Sequence, residues 1–102
     1  MNYTENYKRI KIDIQAVDTD LPDSVEQEIR DSIDKLIRFG LEMNAVDIYF
    51  KSEGHSHLEE YSIGMRVGIP GKDIFSDEKG NNWLQMLRNV TDKSIRQHQK
   101  NK

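Results

Sequence analysis

The chain has no cysteine and only two prolines, and no apolar run approaches the ~20 residues of a membrane span. Without thiols there is no disulfide, no zinc-thiolate site and no cysteine nucleophile. The first ten residues, MNYTENYKRI, contain no apolar signal-peptide core, so nothing in them directs export. Taken together these absences predict a cytoplasmic protein without a membrane role. Apolar residues are scarce as well, 35% against 32% charged, and mean hydropathy is −0.82. That level approaches the disordered range, but the apolar residues are strongly periodic, which favours folding. At 102 residues the chain is predicted to be one domain over 1–102, with one two-layer core.

The periodicity changes character along the chain. Residues 1–7 are polar and read as a loose end. Ile10, Ile12, Ile14 and Ala16 then alternate with Arg9, Lys11, Asp13 and Gln15, the pattern of a half-buried strand. Val17–Pro22 breaks it, with Asp and Thr oxygens available to cap a helix and Pro22 suited to its first turn. From Pro22 to Phe39 the spacing is helical, with Val25, Ile29, Ile33, Leu36 and Ile37 on one stripe. Gly40 stands where a left-handed C-cap belongs. Ala45–Lys51 and Glu60–Ile69 alternate again, separated by the polar stretch Ser52–Glu59. Pro70-Gly71 marks a turn before a short strand at Asp73–Ser76. Helical spacing returns from Trp83 to about Lys100, with Asn82 available as its N-cap.

The expected fold is therefore a two-layer α/β domain of order β-α-β-β-β-α. Its first two strands should pair in parallel through the helical crossover, and the later ones antiparallel. Two helices covering a four-stranded mixed sheet should share one face and leave the other to water. The expected core includes Ile12, Ile14, Ile29, Ile33, Ile48, Ile63, Val67, Leu87 and Val90. Tyr49 should face outward and Trp83 and Tyr61 inward.

Charge is unevenly distributed. From Arg88 onward there are five Lys/Arg against Asp92 alone, a net of +4 in a chain of net −3, so the rest carries −7. Asn89, Lys93, Arg96 and Lys100 fall on one outward helical stripe. That arrangement fits a phosphate-binding surface, and equally a solvated helix end whose cations complement the dipole. In the first helix Lys35 and Arg38 follow Asp31 and Asp34 by four residues, ordinary supporting pairs.

Other candidates are bland. His55-Ser56-His57 could place two imidazoles on one side of an extended chain, but no third ligand is indicated, and His98 stands alone. No metal, cofactor or small-molecule substrate is expected. Gly64, Gly68 and Gly71 are not arranged as a phosphate loop. No carboxylate occupies an apolar position and no nucleophile–base arrangement appears, so the chain reads as a non-enzyme.

Several segments resemble the ribosome hibernation-promoting factor family, also called ribosome-associated inhibitors or sigma-54 modulation proteins, in its short form. Asp92-Lys93-Ser94-Ile95-Arg96-Gln97 is similar to that family's Asp/Asn-Lys-Leu-Glu-Arg-Gln pattern, with Ser94 and Ile95 in place of Leu and Glu. Asp34-Lys35-Leu36-Ile37-Arg38-Phe39 resembles its basic-Leu-x-basic segment. Ile69-Pro70-Gly71 matches its turn after the third strand. The resemblance runs from about Ile10 to Lys100. It implies a stress- or stationary-phase translation inhibitor that occupies the decoding channel of the small ribosomal subunit. It assigns ribosomal RNA contacts to Lys35, Arg38, Lys93 and Arg96, with Lys100 a weaker addition. It also implies a monomer in isolation, because the long form's dimerisation domain is missing from this sequence. Two alternatives stay open: an interaction module that binds a basic partner through its acidic first helix, and, less favoured, a small hydrolase.

Overall fold

The computed structural model describes residues 1–55 and 58–100, apart from the side chains of residues 53–59. Its sheet has five strands, β1 (Asn2–Tyr7), β2 (Ile10–Val17), β3 (Ala45–His55), β4 (Leu58–Ile69) and β5 (Lys72–Gly80), in that spatial order. Helices α1 (Asp23–Arg38) and α2 (Trp83–Lys100) complete the fold. β2 and β3 pair in parallel, and every other neighbouring pair is antiparallel.

The reading of the strands is corrected at three places. First, the end read as loose is an extra edge strand, so the sheet has five strands rather than four. Its alternation is only half-buried: Tyr3, Glu5 and Tyr7 face the helices, while Asn2, Thr4 and Asn6 face water. Lys8 and Arg9 form the two-residue turn into β2, both at positive φ (51° and 67°), as a hairpin turn matching strand twist requires. Second, most of the polar stretch expected at Ser52–Glu59 is strand, since β3 runs to His55 and β4 starts at Leu58. Third, β5 is nine residues long, well beyond Asp73–Ser76.

The helix boundaries follow local chemistry. Pro22 is itself the N-cap of α1, and no side-chain oxygen caps that end. At the other end Gly40 has φ +85°, its N–H donates to Ile37 O (3.0 Å) and that of Leu41 to Leu36 O (3.2 Å). This paired closure needs a left-handed residue, which glycine adopts without a Cβ clash. Asn82 caps α2 as expected, its Oδ1 accepting from the Gln85 N–H at 3.0 Å.

All nine residues expected in the core are buried, with Trp83 and, partly, Tyr61. Phe50 meets Trp83 edge-on (centroids 5.3 Å apart), and Tyr61 stacks on the same indole at 4.2 Å. Ile37 departs from expectation: at the margin of the α1 stripe on its last turn, it is 40% exposed. On α2, Ser94 is fully buried where a larger side chain would not be missed by the pattern. Its hydroxyl bonds Val90 O and meets the Ser76 hydroxyl at 2.9 Å, so burial leaves no orphaned polar atom there.

Polar pairs fasten β1 to α1. Arg30 donates two hydrogen bonds to the Glu5 carboxylate (2.7 and 2.9 Å), and Asp34 accepts from the Tyr7 hydroxyl (3.0 Å) and the Lys8 ammonium (2.7 Å). The Arg30 bonds hold the Glu5 carboxyl below its ordinary value of 4.5, and the Lys8 bond holds Asp34 below 3.8. Burial, reinforced by Glu26 and Glu5, pushes the Tyr3 phenol up to about 12. Depressed carboxyls favour folding at neutral pH and lose that contribution as pH falls through their native values; a raised phenol loses its contribution as pH climbs from 10 towards 12. β1 amides should therefore lose protection, relative to intrinsic exchange at each pH, below about pH 4 and above about pH 10, before β3 amides do. Simultaneous loss of protection in β1 and β3 would show that these pairs do not govern docking.

Candidate nucleic-acid interface

The element order fixes where the cations gather. Because β2 and β3 are parallel, α1 runs back between them, and α2 runs back along β5, with Ser76 against Val90 and Phe75 against Gln97. The two helices are consequently parallel to each other. Their cross-pairs confirm it: Arg88–Glu28 (2.8 Å) precedes Lys35–Asp92 (2.7 Å) along both helices. Both helix C-termini, the start of β2 and the β1–β2 turn thus share one end of the molecule.

That end is rich in cations. Arg38 closes α1, while Arg96 and Lys100 close α2; all three are exposed and form no ion pair among the described residues. Arg9 projects from the β1–β2 turn at the same end, on the β1 edge of the sheet. Cations at helix C-termini also meet the negative end of each dipole, so they sit there without electrostatic cost. Ile37 and Phe39, 40% and 45% exposed, flank Arg38 with apolar surface.

The other two sequence candidates are engaged within the protein. Lys35 does not pair with Asp31, as spacing alone implied, but reaches across to Asp92 on α2. Lys93 donates to Asp77 O (2.7 Å) and lies 3.4 Å from a Glu78 carboxylate oxygen. Exposed pairs of this kind contribute ~0–1 kcal/mol, so an incoming phosphate can exchange for the internal carboxylate at little cost. Two of the five α1 acids are similarly committed, Glu28 to Arg88 and Asp34 to Tyr7 and Lys8. The acidic face expected on that helix is thereby reduced.

Lys93 has a second consequence. It and Gln97, whose amide donates to Phe75 O (2.7 Å), occupy outward carbonyls of edge strand β5. Such groups otherwise template pairing between copies. Lys93→Ala with Gln97→Ala should increase self-association, read by light scattering at micromolar protein. An unchanged molar mass across the concentration range would contradict an edge-protecting role.

Sequence reasoning missed the contribution of the β1–β2 turn and placed Arg9 on the open sheet face. Two tyrosines four residues apart ahead of Lys8-Arg9 were the available signal. Ser56, His57 and the side chain of His55, considered above for metal binding, lie outside the described residues. Among the described residues no group of three or more His, Asp or Glu is placed to hold a metal, and no helix is long and apolar enough to cross a membrane.

The fold is a two-layer α/β domain of two helices on a five-stranded mixed sheet. A model of the family described as sigma 54 modulation protein / S30EA ribosomal protein matches residues 12–102, and the chain belongs to that family. Its members are ribosome-associated hibernation or modulation factors, not enzymes. The match begins within β2, so β1 and its turn lie outside it. A search of curated proteins finds no match. Among solved structures, the chain is similar to the Protein Y N-terminal domain of Thermus thermophilus (TM-score 0.75, 12% identity, 92% of this chain and 99% of that one). It is also similar to a ribosomal subunit interface protein from Coxiella burnetii (TM-score 0.69, 17% identity, 87% and 93%). At these identities the structural likeness concerns the fold.

Proposed function

We propose that this chain is a cytoplasmic hibernation factor, a single domain that acts as a monomer. It occupies the decoding channel of the small ribosomal subunit in stress or stationary phase and blocks translation by occlusion. Lys35, Arg38, Lys93, Arg96 and Lys100 contact ribosomal RNA phosphates, and Arg9 joins them. The observation that carries this reading is the convergence of both helix C-termini on one cation-rich end. A chain of net −3 binds RNA only where its cations are segregated from its acids. Arg38, Arg96 and Lys100 make the first contacts, while Lys35 and Lys93 exchange their internal partners for phosphate. The exposed Phe39 offers a flat apolar surface beside Arg38, against which an unpaired base can stack. Pelleting with purified subunits tests the proposal: the protein should travel with small subunits and remain in the supernatant with large ones. Equal or absent pelleting in both would overturn it.

A further inference from the structure

The sheet face opposite the helices carries a feature that the cationic end does not use. Across β3, β4 and β5, Tyr49 and Asp77 stand on either side of Gly64 in register. With no side chain at Gly64, a trough of about 610 Å³ opens between them. Tyr49 and Phe75, 43% and 63% exposed, supply its aromatic walls. Such a volume is of ligand size, and exposed aromatics in a concave setting mark recognition surfaces.

Its charges select the occupant. The cations that line it are already neutralised: Arg66 is bound by Asp47 and, at 3.1 Å, by Asp73, and Lys93 is held by the β5 edge and Glu78. The Asp13 and Asp77 carboxylates make no hydrogen bond or ion pair among the described residues. An anionic backbone is repelled from such a trough. A guanidinium is attracted twice, by the ring faces and by the carboxylates. From β2 to β5 the trough crosses three strand spacings, roughly 14 Å, the reach of about four extended residues.

We propose that this trough is a docking site for an extended, arginine-bearing segment of a basic protein partner. The site lies on the opposite sheet face; of the RNA contacts proposed above only Lys93 reaches its rim, and the contacts assigned to the arginine do not use it. An arginine side chain packs over Gly64 between Tyr49 and Phe75, with its guanidinium on Asp13 or Asp77.

Gly64 makes the proposal testable without damage to the fold. A Cβ there meets nothing within 4 Å, and the backbone is ordinary strand, which valine favours. The probe is an acetylated, amidated pentapeptide, Gly-Arg-Ala-Arg-Gly, titrated into the full chain and followed by amide NMR. Saturable shifts centred on Tyr49, Gly64, Phe75 and Asp77 are expected, weakened at least tenfold by Gly64→Val with no fall in melting temperature. Asp13→Asn with Asp77→Asn, which leaves the trough's shape intact, should weaken binding at least threefold. A peptide with Glu in place of Arg should not bind. Three results would each overturn the proposal. These are unchanged affinity in both variants, equal binding of the Glu peptide, or binding in the trough of a short oligouridylate in preference to the Arg peptide. Subunit pelleting by Gly64→Val reports separately on the RNA-binding end.

Discussion

Replacing Arg38, Arg96 and Lys100 together with Ala is expected to remove most of the affinity for small subunits at physiological salt. Each phosphate neutralised by a cation releases counterions, so log affinity falls with log salt by roughly 0.7–0.9 per contact. The triple variant should flatten that slope by about 2–3. All three side chains are exposed, so each change should move folding stability by no more than about 0.5 kcal/mol. Lys35→Ala with Lys93→Ala should have a smaller effect, because those ammoniums first give up Asp92 and Glu78. Exposed Lys79, near the opposite end of the sheet, provides the control. If wild type and triple variant show the same salt slope, the cationic end is only a solvated terminus.

The largest effect on stability is expected at Phe50. Its ring is fully buried in β3 and meets Trp83 edge-on at 5.3 Å, while Trp83 in turn stacks on Tyr61. Phe50→Ala removes apolar contacts and leaves a cavity that surrounding strands cannot close, at a cost of about 3–5 kcal/mol. Against a typical total of roughly 5–15 kcal/mol, that is a large fraction of the fold's stability. Phe75→Ala is the contrast: the same residue type on the open face of β5, 63% exposed, should cost about 0.5 kcal/mol or less. Urea melts of the two variants measure the difference. A loss below about 1 kcal/mol at Phe50 would contradict its place at the centre of the core.

The difference between Phe50 and Phe75 shows what patterning conveys. Alternation with β-branched residues at Ile10–Ala16, Val46–Phe50 and Tyr61–Ile69 is enough to assign the strands' inner faces. Helical spacing and Gly40 likewise set the position and end of α1. β1 was illegible because it buries nothing fully, has no β-branched run, and turns through Lys8-Arg9 rather than a glycine-bearing pair. The basic residues were legible as types, but their surroundings were not. Spacing pairs Lys35 with Asp31, whereas the parallel packing of α1 on α2 brings Asp92 within 2.7 Å. Arg9 joins the cationic end only through the β1–β2 turn, a tertiary consequence that no local window contains. The trough over Gly64 depends on the register of three strands: alternation places Asp13 and Tyr49 outward, but not which residues of the neighbouring strands stand beside them.

Competition for the decoding channel tests the central claim most directly. Small subunits loaded with mRNA and a cognate tRNA are titrated with the protein, and tRNA release is measured by filter retention. Occlusion requires that the protein release tRNA with a midpoint that rises in proportion to tRNA concentration. The Arg38, Arg96 and Lys100 triple variant should need much more protein for the same release. Simultaneous retention of tRNA and protein on one subunit, at saturating concentrations of both, would contradict the account.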